Sequence, residues 1–193
     1  MKRKLSLLAA CLLMCVSTTM ATVNIIPKPT SLVEKEGEFV FTKGFTIGYN
    51  NTSLEPAATY LQELLTRDTG LNFKTRLGKG KIQLYLVLPD DNDESYELVS
   101  NKKGVLITAH SYRGIINGIA TLRQLLPPVV KVQYDVPAVT IKDSPNFHWR
   151  GLMLDPVRHF FSVEETKKLL DEMALYKLNK FHWHLSDTEG FRM

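Results

Sequence analysis

The chain of 193 residues is long enough for one or two domains of ordinary size. Hydrophobic residues make up 44% of it and charged residues 23%, which excludes a disordered chain, a collagen-like repeat and a disulfide-stapled miniprotein. The formal net charge is +4, but Lys2, Arg3 and Lys4 supply three of the positive charges, and without them 21 basic residues face 20 acidic ones. Composition therefore gives no support for a nucleic-acid partner.

The first 21 residues have the pattern of an export signal. The basic start precedes the apolar stretch Leu5–Val16, and Ala21 is a small residue that signal peptidase accepts. A permanent membrane helix is the weaker alternative, because spanning a bilayer takes about 20 apolar residues. A lipoprotein signal that ends at Cys11 is a second alternative. We expect a cleaved signal peptide and export to the periplasm or the outside. Because Cys15 also lies inside the signal, the mature chain is expected to lack disulfides and cysteine ligands.

Residues 22–142 are predicted to form a small α/β accessory domain. Two short β-type runs, Glu38–Phe41 and Phe45–Tyr49, predict a hairpin. Apolar residues at helical spacing predict one helix capped by Ser53 and ended by Gly70, and a second helix over Ser111–Leu126. Further strands are predicted at Lys81–Leu88, Ser95–Val99, Gly104–Ala109 and Val136–Lys142. The first of these is apolar on both faces, which favours an interior position in a sheet.

Residues 143–193 are predicted to begin a (β/α)₈ barrel. Two strands, Phe147–Asp155 and Lys180–Ser186, flank a helix over Ser162–Tyr176 that starts with a capping box completed by Glu165. A β-α-β unit of this kind makes its two strands parallel.

The expected fold class is α/β: a small accessory domain followed by the first βαβ portion of a truncated TIM barrel. A complete barrel takes roughly 250 residues, and residues 143–193 supply two of its eight strands. Their strand edges lack neighbours, so we expect this segment to be poorly ordered or aggregation-prone in isolation.

Polar side chains collect where the barrel strands give way to loops, which is the edge at which parallel α/β folds assemble their sites. Asp155 and Asp187 end successive strands and could approach each other as a glycosidase carboxylate pair, although capping and salt bridging explain them equally well. Arg150 and Arg158 could each grip a pair of sugar hydroxyls or a carboxylate such as Asp155.

Two aromatic and two imidazole side chains leave alternatives open. His182 and His184 share one face of a strand, which suits a metal if a further ligand is near, or satisfied histidines that line a barrel. Trp149 and Trp183 could stack on a sugar ring or pack in a core.

Three sequence blocks carry a resemblance to a known family. They are Phe147–Asp155 (FHWRGLMLD), Arg158–Phe161 (RHFF) and Met173–Asp187 (MALYKLNKFHWHLSD). Together they resemble the family 20 glycoside hydrolases, the β-N-acetylhexosaminidases. The opening Ile26–Pro29 and the segment Gly114–Pro127 are similar to that family's accessory domain, so the resemblance covers nearly all of the chain after the signal.

The resemblance implies an enzyme that removes terminal N-acetylglucosamine or N-acetylgalactosamine from glycans, with no metal or organic cofactor. In this family the substrate's own acetamido carbonyl attacks the anomeric carbon, while a glutamic acid protonates the leaving oxygen and an aspartate polarises the acetamido group. That Asp-Glu pair lies on a later barrel strand, so this chain is expected to be an amino-terminal fragment that is inactive alone. A non-catalytic carbohydrate-binding module is the alternative.

The same resemblance assigns roles to four residues. Arg150 matches the arginine that grips hydroxyls of the terminal sugar, and Asp187 matches an aspartate that supports the catalytic acid through a histidine on a later segment. Asp155 and His159 match motif positions around the pocket floor. The family usually continues with Asp-Gln-Gly-Trp-Arg, whereas Thr-Glu-Gly-Phe-Arg stands here, so Glu189 has no assigned role. The expected partner is a glycan with a terminal N-acetylhexosamine, and the oligomeric state is left open.

Overall fold

The computed structural model describes residues 23–87, 90, 93–127, 133–188 and 190–191. The predicted signal peptide lies outside these residues. Among the helices of the described residues, none is both long and apolar enough to cross a membrane.

Seven strands form one mixed sheet in the order β1-β7-β5-β6-β4-β2-β3. Their bounds are β1 Ser31–Val40, β2 Thr46–Tyr49, β3 Lys74–Leu77, β4 Ile82–Leu86, β5 Tyr96–Asn101, β6 Gly104–Ala109 and β7 Asp135–Asp143. Strands β3, β2, β4 and β6 pair in parallel, and β5, β7 and β1 continue the sheet antiparallel. The predicted interior position of β4 is confirmed, because it lies between β6 and β2.

Two helices, α1 (Glu55–Thr69) and α2 (Tyr112–Leu125), cover one face of this sheet. Helix α1 packs on β2 and β3, α2 packs on β4, β5 and β6, and the two helices contact each other. Strand residues alternate accordingly: Val105 and Ile107 are buried under the helices, whereas Leu106 between them is exposed on the other face. The core of the accessory domain therefore lies between one sheet face and two helices.

The predicted hairpin between Glu38–Phe41 and Phe45–Tyr49 is wrong. Strand β1 pairs antiparallel with β7, and β2 lies between β4 and β3 near the far edge of the sheet. Gly44 does have positive φ in a turn, but Gly37, also at positive φ, lies inside β1 where the register with β7 shifts. Turn residues report where a chain bends, but they do not report which strand pairs with which, and the partner of β1 lies at the end of the domain.

The helix ends follow local sequence with one exception. The predicted cap of α1 at Ser53 is wrong, because a 3₁₀ turn over Thr52–Leu54 precedes the helix and the Asn51 side chain accepts from the Ser53 N–H at 2.9 Å. Gly70 ends α1 in the left-handed conformation with φ of 69°, as predicted. Ser111 caps α2 by accepting from the Gly114 N–H at 3.0 Å.

A β-α-β unit follows the accessory domain and confirms the expected α/β fold class with the start of a barrel. It consists of β8 (Gly151–Leu154), α3 (Val163–Leu175) and β9 (Lys180–Trp183), and the short strands β10 (Ser186–Asp187) and β11 (Gly190–Phe191) follow. Strands β8 and β9 are parallel, as predicted. The capping box of Ser162 and Glu165 is present as well.

The barrel strands are shorter than the predicted Phe147–Asp155 and Lys180–Ser186. At its amino end β8 begins after Arg150, because the Arg150 N–H donates to the Asn179 side chain at 3.1 Å instead of to a neighbouring strand. Helix α3 packs against α2, and the Gln124 amide of α2 donates to the Leu175 carbonyl at 3.0 Å. The barrel unit therefore rests on the helical layer of the accessory domain.

A buried lysine joins the two parts. Lys177, between α3 and β9, is 4% exposed and has a φ of 61°. Its ammonium donates to the Tyr96 hydroxyl at 2.8 Å and to the Asp143 carboxylate at 2.9 Å. The Tyr96 hydroxyl also lies 2.6 Å from the hydroxyl of Thr121 on α2. Burial without a partner would be costly for this ammonium, and the accessory domain supplies the partners.

Candidate functional site

The two barrel strands have polar clusters at opposite ends. Arg150 and Asn179 lie immediately before β8 and β9, at the amino ends. Asp155 follows β8 directly, and Asp187 lies in β10 just beyond β9. Because functional groups of parallel α/β folds gather at the carboxyl ends of strands, the second cluster is the candidate site.

Asp155 organises the loop that follows β8. One of its carboxylate oxygens accepts from the backbone N–H groups of Val157 at 3.0 Å and of Arg158 at 3.2 Å. The other oxygen pairs with the Arg158 guanidinium. This short loop therefore fixes the arginine backbone and its side chain together.

Arg158 bridges the two carboxylates of the site. Its guanidinium pairs with Asp155 through one terminal nitrogen and with Asp187 through the other. The Arg158 side chain is 53% exposed, so the bridging group remains in reach of solvent. The predicted approach of the two aspartates is observed, with an arginine between them.

Asp187 is held as an anion by several donors. The Thr188 N–H donates to it at 2.7 Å, and His184 Nε2 lies 3.0 Å from its second oxygen. The Thr188 N–H, the His184 ring and the Arg158 guanidinium together lower the pKa of Asp187 to about 2. The hydrogen bond from Arg158 likewise lowers the pKa of Asp155. Near neutral pH both carboxylates are therefore ionised and neither serves as a proton donor.

The structure places Arg150 away from this cluster. Its Nε donates to the Lys177 carbonyl at 2.7 Å, one terminal nitrogen donates to the Phe147 carbonyl, and the other pairs with Glu94 at 2.7 Å. Its side chain is 12% exposed. These contacts hold the Arg150 side chain at the amino ends of the strands. The sugar contact that the resemblance assigned to it stays a prediction.

His159 lies in the same loop as Arg158 and is exposed. Its ring packs edge-on against Phe161, with centroids 5.1 Å apart. Its place around the pocket floor stays a prediction.

His182 and His184 do share a face, with ring centroids 6.0 Å apart. Among the residues that the structure describes, no three His, Cys, Asp or Glu side chains are grouped as a metal ion would need. His184 is instead a partner of Asp187. Trp183, at the carboxyl end of β9, is half exposed, whereas Trp149 precedes β8 and lies under the Lys180 ammonium at 5.3 Å. Glu189 lies outside the described residues.

Arg158 was predicted to grip either a pair of sugar hydroxyls or a carboxylate such as Asp155, and the structure shows the pair with Asp155. One residue of these clusters was absent from the sequence predictions. Glu94, which pairs with Arg150, lies in the accessory domain, and nothing in its local sequence connects it to the barrel.

Comparisons with known proteins agree with this architecture. The family model described as glycosyl hydrolase family 20, domain 2, matches residues 22–144, and the model of the catalytic domain of the same family matches residues 147–193. A beta-hexosaminidase of Porphyromonas gingivalis is 37% identical over 182 residues, which is 89% of this chain and 23% of that protein. A beta-N-acetylhexosaminidase of Cellulomonas fimi is 34% identical over 90% of this chain and 36% of its own length.

Solved structures show the same relationship. The N-acetyl-beta-hexosaminidase of Streptomyces plicatus matches with a TM-score of 0.79 and 38% identity, covering 87% of this chain and 35% of that one. The exo beta-N-acetylglucosaminidase of Vibrio harveyi, solved with N-acetylglucosamine, matches with a TM-score of 0.79 and 33% identity over 91% of this chain and 28% of that one. This chain thus spans about a quarter to a third of these relatives. With both family models aligned in order and a β-α-β unit after the accessory sheet, the chain belongs to glycosyl hydrolase family 20.

Proposed function

We propose that this chain supplies the accessory domain and the first barrel strands of an exported exo-β-N-acetylhexosaminidase. Its carboxyl-end cluster of Asp155, Arg158, His184 and Asp187 forms one wall of the pocket for a terminal N-acetylhexosamine. The observation that supports this most is the half-exposed Arg158 guanidinium held between two ionised carboxylates at the carboxyl edge of the barrel strands.

This wall suits a sugar because a hydroxyl both donates and accepts hydrogen bonds. A carboxylate offers acceptors and a guanidinium offers donors, so neighbouring Asp and Arg groups can satisfy both halves of a hydroxyl pair. Asp155 fixes both the backbone and the guanidinium of Arg158. Because this side chain is already ordered, ligand binding costs less conformational entropy. Trp183, at the carboxyl end of β9, presents a half-exposed aromatic surface on which a sugar ring can stack.

Under this proposal the wall binds and orients the sugar, and it does not protonate it. Asp155 and Asp187 are both held ionised, so neither is the acid that a glycosidase needs for the leaving oxygen. Membership in the family favours substrate-assisted catalysis, in which the acetamido group attacks and an Asp-Glu pair on a later barrel strand polarises it and protonates the leaving oxygen. Asp187, with its anchored charge, would support that acid.

Sugar binding tests the wall directly. We expect N-acetylglucosamine, titrated into the 193-residue protein, to shift the NMR signals of Asp187 and its neighbours. Arg158→Ala should abolish these shifts because it removes the bridging cation. Arg113→Ala is the matched control, since Arg113 is an exposed arginine of the accessory domain. Equal shifts in wild type and Arg158→Ala would contradict the proposal.

A hydrolysis assay tests whether this chain binds the sugar without supplying the catalytic acid. A polypeptide of the printed 193 residues is expected to bind the sugar but not to turn over an aryl N-acetyl-β-glucosaminide. Turnover at an enzymatic rate that Arg158→Ala abolishes would show that the proton donor lies within these residues, and that the assignment of a later Asp-Glu pair is wrong.

Export is tested by the amino terminus of the secreted product. Expression in a Gram-negative host should yield a mature protein that begins at Thr22, identified by mass spectrometry of the intact chain. A product that retains Met1–Ala21 would contradict cleavage, and one that begins at a lipid-modified Cys11 would support the lipoprotein alternative.

A further inference from the structure

Glu94 of the accessory domain contacts the amino ends of both barrel strands. One carboxylate oxygen pairs with an Arg150 terminal nitrogen at 2.7 Å, just before β8. The other accepts from Asn179 Nδ2 at 3.2 Å, just before β9. The Glu94 side chain is 10% exposed, so water screens these contacts weakly. A single carboxylate therefore connects two strands that are separated along the chain by a whole helix.

The backbone of Glu94 is itself fixed by α2. The Asn117 side chain, which is buried in α2, donates to the Glu94 carbonyl at 3.0 Å. Ser111, at the cap of the same helix, donates to the Asp93 carbonyl. The Ser95 N–H donates to the Asp93 side chain at 2.7 Å. Because α2 packs on the accessory sheet, Glu94 extends from a rigid support.

Strands β8 and β9 need such a support. They pair over four residues each, from Gly151 opposite Lys180 to Leu154 opposite Trp183. A sheet of two short strands is marginally stable by itself. A slip of one residue would turn every side chain to the opposite face. Contacts at the strand ends are therefore well placed to stabilise one register.

The amino-end contacts act on that register. Asn179, which Glu94 holds, accepts from the Arg150 N–H at 3.1 Å through its side chain, and its own N–H donates to the Arg150 carbonyl at 2.8 Å. At the carboxyl ends of the two strands, the last hydrogen bond between them runs from the His184 N–H to the Leu154 carbonyl at 3.0 Å. The relative position of β8 and β9 at their amino ends, next to Glu94, therefore also determines their relative position at the carboxyl ends, which precede Asp155 and Asp187.

We propose that Glu94 is a positioning residue that sets the stagger of β8 and β9 and thereby the spacing of Asp155 and Asp187 across Arg158. Hydrogen bonds weaken steeply when their geometry departs from the narrow normal range, so a small shift in stagger separates Asp187 from Arg158 and His184. As a statement about sugar binding this inference rests on the proposed function. The quantity that tests it, the pKa of Asp187, does not.

The test compares Glu94→Gln with Glu97→Gln in the 193-residue protein. Glutamine at 94 keeps the size of the side chain but has a single acceptor oxygen, so its NH₂ group must face a donor of either Asn179 or Arg150. It also leaves Arg150 without its counter-charge. Glu97 is a partly exposed glutamate of β5 that pairs with Lys142 at 3.6 Å, so it is the matched control. The readout is the carboxyl ¹³C titration of Asp187.

In Glu94→Gln the pKa of Asp187 is expected to rise from about 2 toward its ordinary value of 3.8, and in Glu97→Gln it should stay at about 2. An unchanged pKa of Asp187 in folded Glu94→Gln would overturn the inference. If that variant does not fold, Glu94→Asp replaces it: the charge is kept, but the shorter side chain cannot reach both strands, so a smaller rise is expected and an unchanged pKa again overturns the inference.

The two proposals fail in different ways. If wild-type protein does not bind N-acetylglucosamine but Glu94→Gln still raises the pKa of Asp187, the proposed function is wrong and the positioning role of Glu94 stands. If the sugar binds equally to wild type and Glu94→Gln and the pKa of Asp187 does not move, the positioning role is wrong and the binding wall stands.

Discussion

The accessory domain and the β8-α3-β9 unit are stabilised in different ways. The accessory domain buries a continuous apolar core in which Leu84, Leu98 and Ile107 have no exposed surface. The barrel unit buries few apolar side chains, whereas Phe147 and Trp149 remain more than 70% exposed. Hydrophobic burial is the dominant favourable contribution to folding, so it acts mainly in the first region.

Polar contacts compensate in the second region. Lys177, Arg150 and Asn179 each hydrogen-bond to a side chain of the accessory domain. The barrel unit is therefore positioned by a few buried charged and amide groups on a surface that the accessory core keeps rigid. This comparison indicates that the candidate site depends for its geometry on residues far from it, and the following experiments test that dependence.

The largest expected effect comes from the accessory core. Leu98→Ala removes a fully buried side chain from the interior strand β5 and should lower the free energy of unfolding by about 4 kcal/mol. Met153→Ala, in the half-open strand β8, should lower it by no more than about 0.5 kcal/mol, since Met153 is 57% exposed. Urea unfolding followed by circular dichroism measures both. Similar losses would contradict the contrast between the two regions.

The next effect comes from the buried lysine. Lys177→Met leaves the Asp143 carboxylate without its ammonium partner in a site that is 10% exposed, which should cost about 3 kcal/mol. Breaking a buried ion pair costs about 3–5 kcal/mol. The lower value is expected here because Thr30 and Tyr96 still donate hydrogen bonds to Asp143. Lys142→Met is the control: its contact with Glu97 is exposed, and its loss should change the unfolding free energy by less than about 1 kcal/mol. A cost no larger than the control would refute the joining role.

A smaller difference should appear in hydrogen exchange. Among the described residues, β8 and β9 pair with each other and with no further strand, whereas β5 lies between β6 and β7. We expect the amide of Phe181 to exchange at least roughly tenfold faster than that of Leu98 in the native protein. Exchange measured by NMR in D₂O provides both rates. Protection throughout residues 143–193 of a monomer equal to that of β5 would contradict the prediction that this segment is poorly ordered.

The smallest effect is an acid transition confined to the site. The pKa of folded Asp187 is about 2 and its ordinary value is 3.8. Because the folded value is the lower one, the stabilisation by this carboxylate is complete above about pH 4 and is lost as the pH falls toward 2. The His184 ring signals should change over this interval while those of the accessory core do not. Arg158→Ala should move the transition to higher pH, and an unmoved transition would show that the arginine does not hold the carboxylate.

Local sequence predicted the elements whose signals are themselves local. The helical spacing before Gly70, the Ser111 cap and the capping box at Ser162 all specify contacts within a few residues, and these helices formed where predicted. The parallel pairing of β8 and β9 also followed from the sequence, because a helix between two adjacent strands returns the chain in the same direction. Strand β3 was missed, since Lys74–Leu77 is a mostly exposed edge strand without an apolar face.

The motif blocks Phe147–Asp155 and Met173–Asp187 by themselves determined the family. They also determined that carboxylate, guanidinium and imidazole side chains lie near the ends of the barrel strands. Tertiary structure decided which of the two arginines lies between the predicted aspartates. Arg150 and Arg158 are eight positions apart and chemically identical, but the first pairs with Glu94 at one end of the strands and the second pairs with Asp187 at the other. The physical reason is that the start of β8 depends on where the Arg150 N–H finds its partner, and that partner, Asn179, is held by a carboxylate from another domain.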